Sequence, residues 1–129
     1  KERLYSDTLK TLEKYPTHIP VLIQINSNVL KIDKNKYLVP KDFCVGDYIS
    51  CLKKKIIGLN PSDTLIVCVS SLNNDFKNVK PITESEYSKS FEKFYNEHKD
   101  TSTGMLILVV SRLTTYKWVK SVASYYMGY

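Results

Sequence analysis

Glycine is scarce in this chain, with four in 129 residues at Gly46, Gly58, Gly104 and Gly128. No glycine-rich phosphate loop can be built from them, and no G-x-S-x-G or H-E-x-x-H stretch occurs. Histidine is rarer still, limited to His18 and His98. The three cysteines, Cys44, Cys51 and Cys68, form neither a C-x-x-C nor any pair at metal-ligand spacing. An odd number of cysteines spaced this widely suits reduced thiols in a cytosolic protein. Cys51 falls on an apolar helix face and Cys68 alternates within an apolar strand, so both read as inert core thiols. Enzymatic chemistry is accordingly not expected, nor a metal or a cofactor. Arginine is confined to Arg3 and Arg112. Phosphate-clamping and base-reading surfaces favour arginine forks, so no nucleic-acid partner is expected. The longest apolar runs, Leu65–Val69 and Met105–Val110, fall far short of the roughly 20 residues of a membrane span. No secretory signal is visible. The chain opens on Lys1 instead of Met, as a processed or trimmed start would.

What is present is lysine. The net charge is +6, and almost all of the positive charge is lysine. Such a balance suits attraction to acidic peptides or anionic membrane surfaces. Hydrophobic residues make up 43% and charged residues 25%, as in an ordinary globular domain.

The hydrophobic pattern then divides the chain. Leu4 to Lys14 reads as a helix with Leu4, Thr8, Leu9 and Leu12 on one face, ended by Pro16. His18 to Ile25 reads as a strand, Asn26-Ser27-Asn28 as a turn, and Ile32 to Pro40 as a second strand, together a hairpin. Phe43 to Ile57 is the strongest helix. Asp42 is placed to cap it, Val45, Tyr48, Ile49, Leu52 and Ile56 to face a core, and Gly58 to stop it. Lys53, Lys54 and Lys55 suit its C-terminal dipole. Thr64 to Ser70 is apolar throughout and reads as a central strand. Ser71 to Ile82 reads as a loop. Thr83-x-x-Glu86 is a capping box opening a helix with Tyr87, Phe91, Phe94 and Tyr95 as a core stripe. Met105 to Ser111 is the last strand. The element order is that of an α+β domain with a mixed sheet over one main helix.

The stretch Ile32-Asp33-Lys34-Asn35-Lys36-Tyr37-Leu38-Val39-Pro40 reads as an exposed edge strand, with lysines along one side and apolar residues along the other. Two uses of such an edge are open from pattern alone. The lysines can simply protect it from aggregation, or the edge can receive a partner peptide.

That stretch is similar to the I-D-K-x-K-Y-L-V-P block of the autophagy ubiquitin-like modifiers, the autophagy-related protein eight family. Lys14-Tyr15-Pro16-Thr17-His18-Ile19-Pro20-Val21 resembles the same family's K-Y/F-P-x-R-I-P-V signature. Val45-Gly46 with Lys53-Lys54-Lys55-Ile56 resembles its main helix, and Tyr95-x-x-His98-Lys99-Asp100 its Y-x-x-H-K-D. The resemblance spans about Leu4 to Ser111.

The resemblance implies a ubiquitin-like β-grasp fold, a four-stranded mixed sheet packed on a central helix, with an N-terminal helical extension. The domain would cover residues 1–112, followed by an extended tail over 113–129. It implies cleavage between Gly128 and Tyr129 by a cysteine protease. Activating and conjugating enzymes would then join Gly128 to phosphatidylethanolamine. The protein would be cytoplasmic, and bound to the autophagosomal membrane once lipidated. It further implies recruitment of receptors and adaptors carrying Trp/Phe/Tyr-x-x-Leu/Ile/Val motifs, by strand addition. By position, an aromatic pocket would use Pro20, Leu22, Lys36, Leu38 and Met105. An aliphatic pocket would use Tyr37, Val39, Pro40, Phe43, Tyr48 and Cys51. Lys34, Lys36 and the Lys53 to Lys55 cluster would attract acidic flanks. The chain departs from the pattern at His18, where the family has arginine, and at Thr11, where an apolar pocket residue is expected. The loop after Ser70 and the tail after Arg112 are also longer than the family's. The tail has helical spacing at Tyr116, Val119, Val122 or Ala123, and Tyr126.

Overall fold

The computed structural model describes residues 2–27, 29–70 and 79–113. Helix α1 (Glu2–Lys14) leads into strand β1 (His18–Asn26), then β2 (Lys36–Pro40) and helix α2 (Val45–Lys55). Strands β3 (Leu65–Ser70) and β4 (Lys80–Pro81) follow, then a 3-10 turn (Glu84–Glu86), helix α3 (Phe91–His98) and strand β5 (Leu106–Arg112). The strands form one sheet in the order β2-β1-β5-β3-β4. The neighbours β1 and β5 run parallel, and every other pair is antiparallel.

The core lies between this sheet and α2. Ile19, Val21 and Ile23 of β1 and Leu106, Leu108 and Val110 of β5 occupy alternate positions, so they share one sheet face. Val45, Ile49 and Leu52 of α2 pack on that face, and Phe91 and Phe94 of α3 close its end. The opposite face is not left open. Leu22 and Ile107 form a second cluster there with Met105. α1 lies against β1 and against the turn before β5, where Thr8 is buried. Gly104 is in the left-handed region at φ +76°, and a Cβ there would come within 3.2 Å of the Thr8 methyl. Pro20 sits inside the sheet without breaking it. The β1–β5 ladder starts only at Val21, so no partner waits for the missing N–H.

Several boundaries differ from the sequence reading. The sheet has five strands, because Lys80 and Pro81 pair with Val69 and Cys68 in a stretch that reads as loop. The apolar run of β3 is not central; β5 is, buried at six of seven positions between β1 and β3. β2 begins at Lys36, not Ile32, since Lys31 instead bridges to Ile57 and the chain bends between. Lysine and leucine therefore share a side of β2, where Lys36 and Leu38 alternate with Tyr37 and Val39. Asp42 does not cap α2; Cys44 holds that position without a side-chain bond. The helix is ended by Ile56 turning extended into the Lys31 bridge, and Gly58, at φ +97°, shapes the chain two residues later. The Thr83 hydroxyl pairs with Ser85 (2.7 Å) instead of capping a helix. The aromatic helix starts eight residues later, capped by Ser90 through the Lys93 N–H. Leu9 is exposed on α1 while Thr8 is buried, because the helix rests on a close glycine contact that a small side chain fits. Residues 114–129, with the expected tail helix, Gly128 and Tyr129, lie outside the described residues.

Candidate functional site

β2 is an edge strand, paired only with β1 among the described residues. Its register decides which backbone groups remain available. The Ile23 N–H donates to the Asn35 carbonyl (2.7 Å) and the Lys41 N–H to the Thr17 carbonyl (3.0 Å). With Pro20 opposite Leu38, the inward-bonded residues of β2 are therefore Tyr37 and Val39. The N–H and C=O of Lys36 and Leu38 point away from the sheet. Pro40 has no N–H, and its carbonyl accepts from Phe43 (3.1 Å). The open edge thus offers a short ladder and then stops on proline.

Beside this edge is a groove of about 830 Å³. Pro20, Lys36, Leu38 and Met105 line it, as do Thr11 and Tyr15 at the end of α1. The Tyr15 N–H continues the helical bonding onto the Thr11 carbonyl (2.8 Å), which sets both side chains on one side. Tyr37 and Lys55 line its far end, with the Lys55 Nζ 5.2 Å from the centre of the Tyr37 ring. Three lysines, Lys34, Lys36 and Lys55, stand around the groove against one carboxylate, Asp33. None of the three is in an ion pair among the described residues. Burial, and then the Asp33 charge, push the Tyr37 phenol up, while the Lys34 amide opposes them.

The residues assigned by resemblance do not all meet at this groove. Pro20, Lys34, Lys36, Tyr37, Leu38, Lys55 and Met105 come together around the groove. Leu22 does not reach its surface; it is 8% exposed and packs with Met105 and Ile107. On the α2 side of β2, Phe43 and Tyr37 are half-buried and Cys51 is exposed. Val39 and Tyr48 are at 3% and 6% exposure and belong to the core. Pro40 is on the opposite side from Val39, in a separate depression of about 490 Å³ with Pro16, His18 and Lys41. Cys51 corrects the reading that placed its thiol in the core: it sits at the border of the apolar stripe of α2. Tyr15 and Asp33 are lining residues that the assignment leaves out, and Thr11 lines the groove where the resemblance expects an apolar pocket residue. Tyr15 and Asp33 lie within the quoted motifs, but only the packing of α1 on β1 brings Tyr15 into the groove with Leu38. Among the described residues no group of three or more His, Cys, Asp or Glu is placed to hold a metal, and no helix is long and apolar enough to cross a membrane.

A mixed sheet with a parallel central pair, wrapped on one main helix, is the ubiquitin-like architecture, here with a helix added before β1. The family model described as "Autophagy protein Atg8 ubiquitin like" matches residues 3–117. Autophagy-related protein 8d of Arabidopsis thaliana is 33% identical over 117 residues, 89% of this chain and 87% of that protein. Autophagy-related protein 8h of the same plant is 37% identical over 98 residues, covering 74% and 75%. The crystal structure of Trypanosoma brucei ATG8 superposes with a TM-score of 0.64 at 27% identity, covering 87% of each chain. The chain belongs to the Atg8 family of ubiquitin-like autophagy proteins.

Proposed function

We propose that this protein is a conjugatable autophagy modifier that recruits receptor and adaptor proteins through β2. The observation that carries the reading is the groove of about 830 Å³ alongside an edge strand with outward backbone groups at Lys36 and Leu38. An extended peptide adds to that edge, its backbone giving affinity and its side chains giving specificity. An aromatic side chain enters between Leu38, Pro20 and Met105, facing Thr11 and Tyr15. The lysine rim draws in acidic flanking residues and acts mainly on the association rate and its salt dependence. Phosphatidylethanolamine conjugation is assigned to Gly128 after removal of Tyr129, through a processing cysteine protease and the activating and conjugating enzymes. Membrane association follows from that lipid, and the protein is cytoplasmic before it.

The binding claim is tested by titrating a fluorescent Trp-x-x-Leu peptide with acidic flanks against wild type and Lys36→Ala. Saturable binding weakened by the substitution is expected. No measurable binding to the folded wild type would remove the claim. The conjugation claim is tested by mass spectrometry of the cellular protein under starvation, which should find loss of Tyr129 and a lipid-sized addition on Gly128. Persistent intact Tyr129 would leave a non-conjugated peptide adaptor.

A further inference from the structure

The end of the domain from which the tail leaves carries exposed apolar and basic residues that the groove does not use. β1 and β5 run parallel with Asn26 beside Ser111, so the turn after β1 and the chain after Arg112 emerge at the same end of the sheet. The Leu113 N–H, bonded to the Thr64 carbonyl (2.7 Å), fixes that exit beside the start of β3. Past the turn, Lys31 and Ile57 exchange backbone bonds, the Lys31 N–H donating at 2.9 Å and the Ile57 N–H at 2.8 Å. Residues opposed in this way project to one side. Ile57 is 64% exposed and Val29 50%, more than any other large hydrophobic residue among those described. Their backbones adjoin, since a Cβ on Gly58 would stand 2.2 Å from the Val29 carbonyl oxygen. Leu30, between Val29 and Lys31, turns the other way into the core.

Lysines surround this apolar pair. Lys31 is exposed beside Ile57, and Lys53 and Lys54 are exposed in the last turn of α2, just before it. None of the three is in an ion pair among the described residues. Of the neighbouring carboxylates, Asp63 is held by Arg112 (3.3 Å) and Asp33 lines the groove. The tail continues the same chemistry. Residues 114–129 contain Lys117, Lys120, the chain's single tryptophan Trp118 and several tyrosines, with no Asp or Glu. Helical spacing would gather Tyr116, Val119 and Tyr126 on one side and Lys117, Lys120 and Ser124 on the other. Lysines and aromatic rings without carboxylates suit the interface of an anionic bilayer. The lysine rim of the peptide groove repels such a tail, which leaves a negatively charged surface as its complement.

We propose that this end of the domain and its tail form one lipid-facing surface that seats directly on bilayers carrying anionic headgroups. The lysines meet the headgroup charges, and Ile57, Val29 and Trp118 enter the boundary between headgroups and acyl chains. Each lysine brought to such a surface strengthens partitioning about fivefold. The contact needs neither the peptide groove nor conjugation at Gly128, and a lipid joined to Gly128 would hold the same end down.

The test uses the full, unconjugated chain with vesicles of phosphatidylcholine, alone or mixed with phosphatidylserine. Co-sedimentation is expected with the mixed vesicles and should weaken as salt is added. Phosphatidylcholine brominated on its acyl chains, included in the mixed vesicles, should quench Trp118 fluorescence. Lys53→Gln/Lys54→Gln should weaken partitioning on the order of twentyfold, two lysines at about fivefold each. Lys10→Gln/Lys14→Gln on α1 removes the same charge and should weaken it far less. All four lysines are exposed, and thermal melts check that both variants fold. Ile57→Ser should weaken partitioning several-fold by removing apolar surface. Absence of phosphatidylserine-dependent sedimentation overturns the proposal, as does Trp118 left unquenched on bound protein. Equal losses from the α1 and α2 variants also overturn it, because net charge alone would then account for binding. Peptide titration of the same protein reads the groove separately.

Discussion

Leu38 and Val39 are neighbours in one strand with opposite fates, and replacing each by alanine separates docking from folding. Leu38 is 40% exposed in the groove wall, and Val39 is 3% exposed in the core. Fully burying a leucine side chain is worth about 1.5–3 kcal/mol. With two-fifths of Leu38 still facing water, about 0.6–1.2 kcal/mol remains to be gained when a peptide covers it. Leu38→Ala should therefore weaken binding of the Trp-x-x-Leu peptide about three- to eightfold. Its effect on stability should stay below that of Val39→Ala. Val39 has almost no surface left to offer a ligand. Its truncation removes two buried methyl groups and leaves a small cavity, which costs about 1.5–3 kcal/mol. For a domain of this size that is a fall in Tm of about 5–10 °C. The folded fraction should bind the peptide as wild type does. Anisotropy titration and thermal melts on the same two variants read both quantities. If Val39→Ala weakened binding without lowering Tm, and Leu38→Ala did the reverse, the assignment of the two strand faces would be wrong.

Two further outcomes follow from individual groups. Burial raises the pKa of the Tyr48 and Tyr95 phenols. Each unfolded tyrosine ionises near pH 10 while its folded counterpart holds its proton. Stability should thus be fully present below about pH 10 and fall above it, by up to about 1.4 kcal/mol per pH unit for each fully shifted group. Tyr48→Phe should flatten that alkaline slope in urea melts; an identical slope would show that the phenol ionises freely in the fold. Gly58→Ala should destabilise by about 2 kcal/mol or more, because φ is +97° and the new Cβ would meet the Val29 carbonyl oxygen at 2.2 Å. A melt unchanged from wild type would mean that the Val29–Gly58 contact is not kept in solution.

Much of the architecture was legible from residue patterns because it depends on local chemistry. Continuous apolar runs marked β1 and β5, the 3.6-residue period marked α2, and prolines and turn residues marked the breaks between them. The near-verbatim K-Y-L-V-P and K-Y-P-x-x-I-P-V blocks pointed to the family and to the edge strand. The misses share a physical cause. The Thr83 capping box and the Asp42 cap are locally sound signals, but tertiary bonds overrode them. The Val45 N–H donates to the Lys89 carbonyl (3.0 Å) and the Phe91 N–H to the Phe43 carbonyl (2.7 Å), pinning both helix starts elsewhere. β4 was unreadable because two residues carry no period, and their pairing exists only through the β3 partner.

The sequence by itself determined that this is a lysine-rich α+β domain whose aromatic stripe at Tyr87, Phe91, Phe94 and Tyr95 and apolar strands must share one core, and that Lys34 to Pro40 includes an edge. Those are consequences of hydrophobic periodicity and of proline chemistry, which act between near neighbours. Only the tertiary structure decided what the edge faces. The register with β1 turns the Lys36 and Leu38 backbone groups outward, α1 brings Thr11 and Tyr15 over them, and α2 buries Val39 and leaves Cys51 exposed. Pairing register and helix docking are set by contacts between residues far apart in the chain, and no local pattern encodes which of two strand faces those contacts will cover.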